Sequence, residues 1–368
     1  MSGLANRPRV RRAVERLARE ALRIVGAPGL STQPTQPAPL PPAAPEPPSR
    51  QPEDFARDWW QGWLTLEGGD ATTRLFERLT GEDVDEIVAG IRQTPELAEQ
   101  YEAAQSDLAH RHMVLAYGIW LGFAAALERT TLLAPHPPEE VHAMTRGPLA
   151  AAGGLYEADL AADALRSVGV DPCSIASALD FGCSSGRVVR VLAAAYPQAT
   201  WYGCDPNRPA IEWAQVNLPG IEFFVSPETP PLALEDGALD AAYAISIWSH
   251  FEAGVGLRWF EEMHRVIRPG GHLVCTTHGL ASVAHYATSG LRSPEQSHEI
   301  ERALYRRGWW YAPEFGEEGD WGVVSPDWGT AFLSPEWLLT QLCPSWRVLE
   351  FAPGRNQENQ DVYVLQRV

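Results

Sequence analysis

Apolar positions fall into three regimes along the chain. At the start, Val10, Val14, Leu17, Ala21 and Ile24 recur at spacings of four and three, which is one stripe of a helix. Residues 27–52 lose that rhythm and fill with proline, alanine and glutamine, the composition of an extended linker that buries no core. From 53 to 150 the pattern is helical again. Leu75, Phe76, Leu79, Val84, Ile87, Val88 and Ile91 keep a 3.6-residue spacing, and Thr80 with Asp83 marks a helix start. A second long helix is expected over 96–133. Its apolar run from Met113 to Leu127 spans 15 residues and is bounded by charge, so it reads as a buried helix, not a membrane span. Trp59, Trp60 and Trp63 are expected to pack at the entry to this helical region.

From about residue 150 the period alternates. SALDFGC (177–183), ATWYGCDP, IEFFVS, LDAAYAISIW and GHLVCTTH read as strands. GRVVRVLAAAYP, PAIEWAQVNL and GLRWFEEMHRVI between them read as helices. That order predicts an α/β fold, a doubly wound and mostly parallel sheet with helices on both faces. WRVLEFAP and QDVYVLQRV supply two last strands, the final pair antiparallel. The organisation expected is therefore a helix at 1–26, a linker at 27–52, a helical domain at 53–150 and an α/β domain at 151–368. Within the last, residues 286–335 form a long insertion rich in aromatic residues.

Charge and composition narrow the function classes. The formal net charge is −18, so a general nucleic-acid binder is not expected. The first helix is the exception, with seven arginines between residues 1 and 25 against Glu15 and Glu20. Such a helix can lie on an anionic membrane, dock on a partner protein or self-associate, including as a homodimer. The chain contains no lysine, which removes Schiff-base and P-loop chemistry. Five scattered cysteines without a C-x-x-C pair suggest neither a zinc ribbon nor a disulfide framework. With no secretory leader pattern, a cytoplasmic protein is expected. His110 and His112 are two apart on a helix, so they do not face one another, and no metal site is assigned.

The most specific signal is ALDFGCSSGR at 178–187. An apolar strand ends in Asp180, a glycine-bearing turn follows, and a helix is expected to open at Gly186, offering free N–H groups to a ligand. A dinucleotide fingerprint starting at Gly182 fails, because its later glycines fall on Ser184 and Arg187. These residues instead resemble the first motif of the class I S-adenosylmethionine-dependent methyltransferases, D/E-x-G-x-G-x-G. Asp180, Gly182 and Gly186 match it and Ser184 replaces the middle glycine. The resemblance extends through WYGCDPN (201–207), LEDGALDAAYAISIWSHF (234–251) and RVIRPGGHLVCTTHG (265–279), in order, and covers roughly 150–368.

The resemblance implies the seven-stranded class I methyltransferase sheet and S-adenosyl-L-methionine as cofactor. It implies that Asp180, Gly182, Ser184, Gly186, Asp205, Pro206 and Ile245 contact the cofactor, Asp205 through the ribose hydroxyls. The acid often found after the third strand is missing, so Ser226 stands in, with Glu228 a weaker candidate. Tyr156 lies where a helix crosses the cofactor in this family, and Arg146 before it is expected to reach the cofactor carboxylate or the substrate. O-methylation of a small molecule or glycan is the expected reaction, with N- or C-methylation of a natural product, or a non-catalytic cofactor-binding scaffold, as alternatives. Removing a hydroxyl proton calls for a base, and His250 is the first candidate, followed by His278. Trp248, His285, Trp309, Trp310 and Tyr311 are expected on the acceptor side, the last three through the aromatic insertion.

Overall fold

The computed structural model describes residues 68–104, 106–120, 122–132, 137, 141, 148–315, 325 and 327–368. The basic helix at 1–26, the linker at 27–52, the Trp59–Trp63 cluster and Arg146 lie outside the described residues. The chain divides into two units, Met1–Ser49 and Arg50–Val368, and all described residues belong to the second.

Helices come first: α1 (Asp70–Phe76), α2 (Gly81–Arg92), α3 (Pro95–Ala103), α4 (Asp107–Trp120), α5 (Ala124–Thr130) and α6 (Pro148–Ser167). Thr80 and Asp83 cap α2 reciprocally, the Thr80 hydroxyl accepting from the Asp83 amide and the Asp83 carboxylate from the Thr80 amide. Such a capping box contributes about 1 kcal/mol. The single helix expected over 96–133 is three. Ala104 turns extended after α3, and Gly122, at φ 75°, ends α4 in a left-handed turn that a helix cannot continue through. The start of α1 is capped by another helix: Asp163 accepts the Gly69 amide at 3.0 Å and Asp159 the Thr72 amide at 2.9 Å, both from α6. His112 bonds the other oxygen of Asp159 at 2.6 Å with both side chains fully buried, which makes it a structural histidine.

The α/β part follows as β1 (Ser177–Phe181), α7 (Val189–Ala195), β2 (Thr200–Asp205), α8 (Arg208–Asn217), β3 (Ile221–Val225), β4 (Leu239–Ala244), α9 (Ala253–Val266) and β5 (Ile267–Thr277). Then come α10 (Leu280–Thr288), α11 (Pro294–Arg307), β6 (Trp309–Ala312), β7 (Thr330–Leu333), α12 (Pro335–Leu342), β8 (Trp346–Asn356) and β9 (Gln360–Arg367). One seven-stranded sheet has the order β3-β2-β1-β4-β5-β9-β8, with β1 to β5 parallel and β9 antiparallel to both neighbours. The Pro-Gly-Gly segment is not a free turn. It is absorbed into β5 as an irregularity, where Leu239 pairs Ile267 but Ala241 already pairs His272.

Period-two alternation divides the core between two faces. Ala178, Ala241, Tyr243, Val362 and Val364 meet Leu75, Leu115, Leu155, Val189 and Leu192 on one side. Leu179, Phe181, Ala242, Tyr363 and Leu365 meet Trp248, Trp259, Phe260 and Met263 on the other. The helices before residue 150 thus share a core with the sheet, and the boundary expected at 150/151 falls inside α6. The insertion at 286–335 begins within α10. It builds α11 and a hairpin of β6 and β7, whose inner residues Ile300, Leu304, Trp310 and Phe332 make a small core with Val283 of α10.

Candidate active site

The sheet order reverses between β1 and β4, where crevices open at the carboxyl ends of parallel strands. A cavity of about 320 Å³ lies there. Its lining includes Asp180, Gly182, Ser184, Asp205, Pro206, Ser226, Glu228 and Ile245. Ser246, Ile247, Phe251, Val255, Trp259, Asp327 and Trp328 line it as well.

The turn after β1 is built for close approach. Gly182 has φ 82°, and a Cβ there would come within 2.1 Å of Ile247. Gly186, at φ 81°, seats against Leu218 and Phe223 and shapes the turn from beneath, away from the cavity wall. Ser184 holds φ 49°, the left-handed region, where the family motif has glycine. The regular helix starts at Val189 rather than at Gly186, and several of the turn's amides are already committed. Gly182 and Cys183 both donate to Cys204 O, Ser184 to Asp205, Gly186 to Cys183 O and Val189 to Asp180. The turn is therefore tied to the end of β2 through the Gly182, Cys183 and Ser184 amides.

Two buried carboxylates face this space. Asp205 accepts the Ser184 amide through Oδ2 and the Asn207 amide through Oδ1, each at 2.8 Å. Burial raises its pKa despite those two donors. Asp180 is pushed up to about 7, chiefly by burial, against the opposing pull of Arg187 and the Val189 amide. Arg187 is itself ion-paired to Glu157 of α6. Burial also raises the Cys183 and Cys204 thiols, keeping them protonated.

Several sequence candidates sit behind the wall. Among the described residues, the wall does not include Tyr156, Trp248, His250, His278, His285, Trp309, Trp310 or Tyr311. Tyr156 is wholly buried, and its hydroxyl accepts the Gln357 amide at 3.1 Å. Trp248 is core: its indole N–H donates to Gly256 O at 3.0 Å and its ring stacks on Phe260 at 4.3 Å. β4 ends at Ala244, and the following turn through Ser246, at φ 62°, swings Trp248 inward. His250 Nδ1 bonds Gly329 O at 2.8 Å, and burial lowers its pKa to about 4. His278 Nδ1 bonds Ala331 O at 3.1 Å, which leaves Nε2 as the acceptor for the Tyr286 hydroxyl and the Gln360 amide. Burial lowers this ring to about 3. His285 lies beside Tyr286 on α10, Trp309 under Arg307, Trp310 in the hairpin core, and Tyr311 opposite Ala331. Side chains at i and i+2 of β6 share one face, so proximity in sequence to an aromatic cluster did not say which residues reach the cavity.

The residues missed include Ser246, Ile247, Phe251, Val255, Trp259 and Asp327. Val255 and Trp259 are four apart at the start of α9, a spacing that places them on one face.

A family model described as "Methyltransferase domain" matches residues 178–271, which run from β1 into β5. Residues 178–271 of the chain thus match a methyltransferase domain. No curated protein matches the sequence. Similar solved structures include S-adenosylmethionine-dependent methyltransferases from three organisms. That from Methanosarcina mazei is 20% identical, covers 52% of this chain and 92% of its own, with a TM-score of 0.35. That from Mesorhizobium loti is 17% identical, covering 55% and 96% with a TM-score of 0.37. That from Aquifex aeolicus is 14% identical, covering 66% and 98% with a TM-score of 0.36.

S-adenosylmethionine is the cofactor that the resemblance of the 178–187 motif implies. The cavity suits it in chemistry: a buried carboxylate at the end of β2, a second at the end of β1, and a turn in which side chains at 182 are excluded. Asp205 would hold the ribose hydroxyls, with Gly182, Ser184, Pro206, Ser226 and Ile245 lining the same pocket. The group supplies a methyl already activated on a sulfonium.

Proposed function

We propose that this methyltransferase acts on a hydroxyl of a compact small molecule or a single glycan unit. The observation that supports this is the part of the cavity lining outside the cofactor motif, which combines Asp327 with Ile247, Phe251, Val255, Trp259 and Trp328. Aromatic and aliphatic faces take up a sugar or ring face and exclude water, and the carboxylate takes the hydroxyl proton as oxygen attacks the methyl carbon. Asp180, Asp205 and Glu228 line the same cavity, while Arg187 there is held by Glu157, which favours amine acceptors as a second reading.

Labelled-methyl transfer across hydroxylated and amine acceptors separates the two. Asp327→Asn is expected to lower kcat on a hydroxyl acceptor about 100-fold, the ordinary contribution of a general base. If amines are the substrates, the same change raises KM and leaves kcat near its original value.

Binding of the first helix to an anionic membrane or a partner protein is proposed on its arginine stripe. Vesicle sedimentation of the full chain against one starting at residue 53 tests it, and equal pelleting discards the membrane reading.

A further inference from the structure

The loop after β4 and the second strand of the hairpin are stitched together over a few residues. The Glu252 amide donates to Asp327 O at 3.1 Å, the Gly329 amide to His250 O at 2.8 Å and the Ala331 amide to Ser249 O at 2.8 Å. Phe251 and Trp328 pair as an antiparallel bridge. The imidazole of His250 adds a bond that a backbone ladder does not supply, Nδ1 donating to Gly329 O at 2.8 Å. One residue thus satisfies both polar groups of the Gly329 backbone. The ring also lies flat against Trp328, with centroids 4.7 Å apart and planes at 26°. Gly329 has no room to adjust, since a Cβ there would come within 2.1 Å of Ala312 O.

The two residues just before Gly329 in sequence are Trp328 and Asp327, and both are on the cavity wall while His250 is not. A base must come within hydrogen-bond reach of the proton it removes, and this ring is buried behind Trp328. We infer that His250 is a positioning residue, which fixes Asp327 and Trp328 on the acceptor side of the cavity by clamping Gly329. The inference rests on the reading of that side as the acceptor site.

Two variants of the full chain test it. In His250→Asn the amide Nδ2 occupies the place of Nδ1 and keeps a donor for Gly329 O. In His250→Phe the ring is kept and the donor lost. Amide hydrogen exchange at 325–333 is read by mass spectrometry, S-adenosylhomocysteine affinity by calorimetry, and KM and kcat on an acceptor from the panel above. His250→Phe is expected to speed exchange at 325–333 about tenfold and to raise acceptor KM by a similar factor. Its S-adenosylhomocysteine affinity is expected to stay within about threefold, which also shows that the protein is folded. His250→Asn is expected to restore both slow exchange and KM.

Slow exchange in His250→Phe with unchanged KM would overturn the inference. So would a roughly 100-fold loss of kcat in His250→Asn with exchange still slow, because that result makes the ring a base. Failure of the acceptor-side reading shows separately. Asp327→Asn would then leave methyl transfer untouched while the exchange difference at 325–333 remained.

Discussion

Asp180, the last residue but one of β1, lines a cavity where burial penalises the carboxylate and pushes its pKa up to about 7. A folded-state pKa above the unfolded value means that the folded protein binds this proton more tightly. Its effect on stability is nil below the unfolded value, turns destabilising as pH rises toward 7, and is constant above it. S-adenosylmethionine brings an ammonium and a sulfonium, and a cation in this space lowers the pKa of Asp180. Binding is therefore expected to release protons at about pH 6–7 and to release almost none above pH 8. Calorimetry in two buffers of different ionisation enthalpy reads the release directly, and identical apparent enthalpies would remove Asp180 from the cation's surroundings. Asp205 makes a simpler case. Asp205→Ala strips an acceptor from two amides and from the cavity, and is expected to weaken cofactor binding by about 1–3 kcal/mol. Ser184 stands in a left-handed conformation that costs roughly 1 kcal/mol in a residue other than glycine. Ser184→Gly is expected to leave the melting temperature unchanged or to raise it.

At the scale of elements, the helix that crosses the β1 turn matters as much as the turn. Gly154 of α6 faces the Arg187 carbonyl, which a Cβ would approach to 2.7 Å. Gly154→Val is expected to push α6 off the turn, destabilising the protein by about 1–3 kcal/mol and weakening cofactor affinity with it. Trp248→Ala empties a site between Phe181 and Phe260 and is expected to cost about 3–5 kcal/mol in denaturant unfolding. The same residue illustrates what the chain does and does not disclose. Strands β1 to β5 were legible because period-two apolar runs and glycine turns are local signals. Asp180, Gly182 and Asp205 were legible because the motif fixes their place at strand ends. The direction of Trp248 was not, since it depends on a left-handed residue at Ser246 two positions earlier. Nor was the pairing of residues 249–252 with 327–331, which joins segments about 80 residues apart through contacts that no local pattern encodes.

Over the whole of the described part, Leu75 and Leu115 from the early helices pack in one cluster with Val189, Tyr243 and Val364. Leu75→Ala is therefore expected to lower stability by about 2–5 kcal/mol. Loss of cofactor binding should follow the same single unfolding transition, whereas two separable transitions in calorimetry would mean independent domains. The open edges of the sheet have a further consequence. At one end β3 is five residues long. At the other, β8 changes register against β9 near Val348 and again near Asn356, and it carries Arg347, Glu350 and Arg355. Kinked, charged or short margins are poor templates for a neighbour's strand. Two copies meeting at these margins would have to associate through side chains, and fibril-like stacking is disfavoured from both ends.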